Sequence, residues 1–119
     1  MSWSFDKRTP VYIQIADKIC TQIITGEYAP DAQIPSVRQL AYMAAVNPNT
    51  VQRALTELET EGIIYSKGTL GRFVTSNQAL IEQARHRAAK QLVTDFVNQA
   101  KQLNISKEEI IKIIEEENE

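Results

Sequence analysis

From Pro35 to Gly62 the chain reads PSVRQLAYMAAVNPNTVQRALTELETEG, and few folds accommodate such a stretch. Ser36 is a natural helix N-cap, and Gln39 stands three residues on, where the second member of a capping box belongs. Val37, Leu40, Ala41 and Ala44 then recur at helical spacing and predict one buried stripe. Asn47-Pro48 is both a break and a restart. Asparagine caps well, and proline is tolerated at the first helical position because its missing N–H would be unpaired there anyway. A second helix follows, burying Val51, Ala54, Leu55 and Leu58 and closed by Gly62 in the position after the C-cap. Its other side carries Asn49, Thr50, Gln52 and Arg53, side chains able to hydrogen-bond base edges or phosphates. Helix, tight turn and helix, with a polar and weakly basic outer face on the second, is the helix-turn-helix pattern. An ordinary helical hairpin in a small bundle is the competing interpretation.

What surrounds this stretch fits a small α-rich domain. Thr9-Pro10 predicts a helix start with a cap and an N1 proline. Ile15, Ala16, Ile19 and Ile23 form a stripe to about Thr25, with Val11 and Tyr12 at its head and Gly26 as the stop. The loop GEYAPDAQIP leaves room for a minimal strand at Gln33-Ile34. After Gly62, residues 63–66 and 73–75 are β-prone, separated by a two-glycine tip from Lys67 to Arg72. A hairpin directly after the second helix reads as a wing, with Ile64, Phe73 and Val74 facing the core. Lys67 and Arg72 at its tip suit a DNA backbone or minor groove, against the alternative of a plain structural hairpin. Trp3 and Phe5 in the leader are expected to cover neighbouring apolar surface.

Here the residues carry a resemblance. TPVYIQIADKICTQIITGEYAPDAQIPSVRQLA, followed by NPNTVQRALTELETEGIIYSKGTLGRFV, resembles the winged-helix DNA-binding domain of the GntR family of bacterial transcription regulators over about residues 9–75. The NPNTVQRAL form with a short tail is similar to the YtrA-like branch. The resemblance implies a homodimer on a palindromic operator in double-stranded DNA, usually as a repressor. By position it assigns Ser36 and Arg38 to backbone and base contacts and Asn49, Thr50, Gln52 and Arg53 to the recognition face. Lys67, Gly68, Gly71 and Arg72 would make the wing. The chain departs at Pro48 and Gln52, where many relatives carry arginine, and in GTLGRF, one residue longer between its glycines than the common wing. Both departures bear on which operator is read.

Beyond Ser76 the pattern changes, and two domains are expected: residues 1–76 as the winged helix-turn-helix and 77–119 as a helical dimerisation tail. No proline or glycine occurs from 77 to 103. Ile81, Ala84, Ala88, Leu92, Phe96, Ala100 and Leu103 recur every three or four residues, which gives a helix of roughly 40 Å. Ser106 with Glu109 predicts a second capping box, with Ile105 and Ile110 as its hydrophobic staple. Ile110, Ile111, Ile113 and Ile114 exceed what a monomeric tail can bury, so Leu92, Phe96, Leu103 and these four isoleucines are the candidate dimerisation residues. Folding of both helices back onto their own domain is the alternative. The fold class is therefore mainly α with a small β-hairpin wing.

Charge and composition set the remaining bounds. The net charge is −2, but the acidity concentrates in the tail at Glu108, Glu109, Glu115, Glu116, Glu117 and Glu119. Arg38, Arg53, Lys67 and Arg72 are left to form a local basic face. So few cations make useful DNA affinity depend on dimerisation. No apolar run approaches a membrane span, the N-terminus lacks the apolar stretch of a secretory signal, and Cys20 has no partner for an internal disulfide. A cytoplasmic protein with no membrane role is expected, with Cys20 as a small buried apolar residue. His86 is the sole histidine and has no ligand-spaced companions, so neither metal nor cofactor is expected. No nucleophile triad, phosphate loop or nucleotide fingerprint occurs, which argues against an enzyme. Two other classes are a winged-helix protein-interaction module and a sensor with a small ligand at the dimer interface. Two tail helices cannot enclose a pocket within one subunit, and the sequence does not identify an effector.

Overall fold

Apolar stripes at helical spacing decide the architecture. The computed structural model describes residues 3–117; Glu119, counted above in the acidic tail, lies outside them. The elements run α1 (Val11–Ile24), α2 (Val37–Ala44), α3 (Pro48–Thr60), β1 (Ile64–Ser66), β2 (Arg72–Val74), α4 (Gln78–Gln102) and α5 (Lys107–Glu116), with a short 3-10 turn at Gly68–Leu70 between the strands. Two compact units result, Met1–Arg85 and His86–Glu119.

In the first unit α1 lies against α3, and α2 packs on α3 as the other half of the hairpin. Ile15, Ile19, Leu40, Val51, Ala54 and Leu55 have no exposed surface, and Ile34, Leu58, Ile63, Ile64 and Val74 complete the core. The stripes expected for the three helices are buried, except that Val37 at the head of α2 is only half-buried against the core. Trp3 and Phe5 pack edge to face on each other and against this core, with the Lys18 ammonium over the Trp3 ring. Cys20 is half-buried beside it.

The helix ends repeat the sequence logic with two differences. Ser36 Oγ accepts from the Gln39 N–H at 3.1 Å, and Gln39 Oε1 accepts from the Ser36 N–H at 2.8 Å, which closes the capping box. Asn47 Oδ1 caps α3 through the Asn49 N–H at 2.7 Å. At α1, however, Pro10 is itself the N-cap, with an extended ψ of 145° and no side-chain cap. The Gln14 amide instead reaches back to the carbonyls of Thr9 and Asp6, so the leader is tied by a glutamine and Thr9 is no cap. The second difference is the turn after α2. Ala45 takes the left-handed conformation at φ 58°, a position that usually selects glycine.

β1 and β2 pair antiparallel with Ile64 opposite Val74 and Ser66 opposite Arg72. The other edge of β2 is laced to the loop before α2. Val74 O accepts from the Asp31 N–H, the Val74 N–H donates to Ala32 O, and Arg72 O accepts from the Ile34 N–H, all within 3.0 Å. The strand expected at Gln33-Ile34 is reduced to a single bridge between Gln33 and Phe73.

The first compact unit runs past Ser76 to Arg85. Ala84 is buried in the core cluster, and Leu80 and Ile81 pack against it. The first turns of α4 therefore complete the first unit, although their spacing continues the tail's stripe. In the second unit Ala100 and Ile110 are buried, Val97 and Ile105 are half-buried, and Asn104 turns the chain at φ 59°. Ser106 Oγ accepts from the Glu109 N–H, forming the expected capping box at α5.

Candidate nucleic-acid interface

α3 presents its polar face because its apolar face is fixed in the core. With Val51, Ala54, Leu55 and Leu58 inside, Asn49, Gln52 and Arg53 stand exposed at positions i, i+3 and i+4, one row along the helix surface. Asn49, Thr50 and Arg53 line an open cleft of about 370 Å³ together with Val11 and Tyr12 from the head of α1. The Arg53 guanidinium stacks over the Tyr12 ring, 4.0 Å from its centroid. Arg38 is exposed in the first turn of α2 and makes no hydrogen bond or ion pair among the described residues. Ser36, beside it, is exposed while its oxygen serves the capping box.

The wing tip is closed by three hydrogen bonds. The Lys67 N–H donates to Gly71 O at 2.8 Å, the Leu70 N–H donates to Lys67 O, and the Gln33 amide donates to Leu70 O at 2.6 Å. Gly71 adopts φ 110°, and a Cβ there would come within 2.7 Å of the Gln33 amide nitrogen. Gly68 turns at φ 55° with open space around it. Lys67 is exposed, its ammonium 5.1 Å from the Phe73 ring, which itself stacks on Tyr65. Tyr65 Oη donates to Asp31 Oδ1 at 2.9 Å, and this bond raises the phenol's pKa above its ordinary value.

The four cations expected to share a face are held differently. Arg72 lies in β2 and not at the tip. Its guanidinium is half-buried, with Nε 3.4 Å from Glu59 Oε1 at the end of α3. That Nε is buried without an aligned hydrogen bond, so the contact is one of charge, and Glu59 offsets the positive charge Arg72 would offer a phosphate. Of the candidate dimerisation residues, Leu92, Phe96, Leu103, Ile111, Ile113 and Ile114 are all at least half exposed. Ile110, at the staple position of α5, is only 8% exposed.

Three residues of this surface carried no functional assignment from sequence. Tyr42 is 87% exposed one turn beyond Arg38; its place outside the Val37-Leu40-Ala41-Ala44 stripe was the available signal. Leu70 stands 65% exposed on the wing tip. Gln33 clasps that tip from 37 residues away, which no local pattern announces.

A capped helix pair with a polar second helix, followed at once by a two-stranded wing, defines a winged helix-turn-helix DNA-binding regulator of transcription. Residues 11–74, more than half of the chain, match the family described as bacterial regulatory proteins, gntR family, and the chain belongs to that family. A GntR family transcriptional regulator from Listeria monocytogenes superposes with a TM-score of 0.85 and 40% identity, covering 96% of this chain and 100% of that one. The transcriptional repressor YtrA of Bacillus subtilis (strain 168) is 41% identical over 69 residues, 58% of this chain and 53% of the repressor. The structure of AraR(DBD) in complex with operator ORX1 matches at a TM-score of 0.58 and 28% identity, over 60% of this chain and 93% of that one. The family resemblance expected from the motifs thus holds, and the chain is a regulator, not an enzyme. No helix among the described residues is long and apolar enough to cross a membrane.

Proposed function

We propose that the protein is a homodimeric repressor that binds a palindromic operator in double-stranded DNA. The observation that carries this reading is the row Asn49, Gln52 and Arg53, exposed on a helix whose opposite face is locked in the core. Asparagine and glutamine suit adenine, arginine suits guanine, and each bidentate pair is worth about 1–3 kcal/mol of discrimination. Arg38 and Lys67 serve as backbone contacts flanking that row, with Gly68 and Gly71 shaping the wing that carries Lys67. A repressor role is supported by the similarity to YtrA, itself a repressor. An operator as ligand is supported by the likeness to AraR(DBD), which is bound to one.

Dimerisation is supported by the second unit. Leu92 and Phe96 lie one turn apart on α4, Leu103 follows its end, and Ile111 and Ile114 lie one turn apart on α5, all exposed. A second copy offering the same surface covers both, as a two-fold interface requires. Two half-sites about one helical turn apart then raise affinity through effective concentration without new base contacts. Selection from a random duplex pool tests the reading: the recovered sequence is expected to be a palindrome. Replacing Phe96 and Ile114 with aspartate is expected to yield monomers by sedimentation that bind the palindrome weakly. Recovery of no sequence preference, or a double variant that stays dimeric, overturns the corresponding half.

A further inference from the structure

We propose that Tyr12 is a positioning residue for the reading helix: its ring holds the Arg53 guanidinium at the mouth of the cleft with the N–H edge free to meet an acceptor on DNA. The inference rests on the DNA-binding reading above and adds a residue on α1 to the machinery of α3. Its basis is how each cation is held. Arg72 is held by a carboxylate, which fixes it and offsets its charge. Arg38 has no such partner among the described residues, so its charge is uncompensated and its side chain is held by no ring or carboxylate. Arg53 alone among the three arginines is stacked on a neutral ring, at 4.0 Å. A ring restrains the guanidinium through its face and leaves both the full charge and the donor edge available.

The shelf is itself packed in place. Tyr12 is half-buried and packs against the core one turn before Ala16 and Ile15–Ile19, whose burial fixes the roll of α1 on α3. Arg53 stands one turn beyond Asn49 and next to Gln52, so the restrained guanidinium belongs to the same row as both amides. Ordering the side chain before binding removes part of the entropy cost that a long arginine otherwise carries into the complex.

Two readouts on the full chain test this. The first needs no DNA: the order parameter of the Arg53 Nε–H from ¹⁵N relaxation. It is expected to stay high in Tyr12→Phe and to fall below about 0.6, the flexible range, in Tyr12→Leu. The second is preference for the duplex recovered from the random pool over a scrambled duplex of equal length. Tyr12→Leu is expected to lose roughly three- to thirty-fold of that preference, and Tyr12→Phe to retain it. In an Arg53→Ala background Tyr12→Leu should cost nothing further, a coupling that loss of general packing would not produce. Should the leucine variant melt early, Tyr12→Met is carried through the same measurements. An Arg53 that stays ordered without the ring, equal losses for phenylalanine and leucine, or additive losses in the cycle would each overturn the proposal. If the unsubstituted chain selects no sequence, the DNA-binding reading fails, while the relaxation measurement still decides whether Tyr12 orders Arg53.

Discussion

Cutting the chain after Ser76 or after Arg85 separates two ideas of where the first domain ends. The shorter fragment loses Leu80 and Ile81, both half-buried on the core, and Ala84, which is 3% exposed within it. Leu80 packs directly over the turn after α3, its Cδ1 3.2 Å from where a Cβ on Gly62 would stand. Half-burial of a leucine and an isoleucine is worth about 1 kcal/mol each, and the alanine methyl about 0.8 kcal/mol. The unfolded chain already shields part of that surface, so the difference in stability is about 2–2.5 kcal/mol. For a domain of this size that is a melting temperature lower by roughly 10–20 °C in the shorter fragment. Thermal unfolding followed by circular dichroism reads it directly, with a urea titration to confirm that both transitions are two-state. Coincident melting curves would refute the placement of α4's first turns in the core. The longer fragment is also expected to sediment as a monomer, because it lacks the exposed stripes of α4 and α5.

Four further substitutions probe single features. Ala45→Gly should stabilise the full chain by about 0.5–1 kcal/mol in urea melts, since alanine carries a left-handed penalty there that glycine lacks. Gly71→Ala should cost about 2–4 kcal/mol, combining a backbone region almost closed to side chains with the displaced Gln33 amide, whereas Gly68→Ala should cost only about 1 kcal/mol. Arg38→Ala should leave the melting temperature unchanged and flatten the slope of log K against log salt by about 0.9 per lost phosphate contact; an unaltered slope argues against a backbone role.

Periodicity and capping chemistry carried most of the fold into view. The stripes of α1, α2 and α3 and both capping boxes are local in sequence, each decided within a few residues, and they stand as expected. What escaped was decided across distance. The periodic row through Ile81 and Ala84 runs on without a break toward Phe96, so nothing in it marks that its first turns face a different core. Arg72 read as a tip cation because it closes the two-glycine segment that begins at Lys67; only the hairpin register brings it to Glu59. Ile110 looked like its three isoleucine neighbours, yet it is buried while they stand exposed. A left-handed Ala45 has no local signature, since the turn's shape is imposed by the packing of α2 on α3. For the candidate site, the residues of α3 were legible as those opposite the buried stripe, but the aromatic shelf under Arg53 depends on the α1–α3 contact.

The lacing of β2 to the loop before α2 has a consequence for inheritance. Gln33 and Gly71 occupy one volume: the amide sits where a side chain at 71 would begin, and it holds the carbonyl of Leu70. Neither position can drift alone. A side chain gained at 71 demands a shorter residue at 33, and a lengthened tip needs a new donor from the same loop. Among descendants of such a chain, the wing and the loop before α2 should vary together as a pair, while the row on α3 remains free to diversify toward new operators one residue at a time.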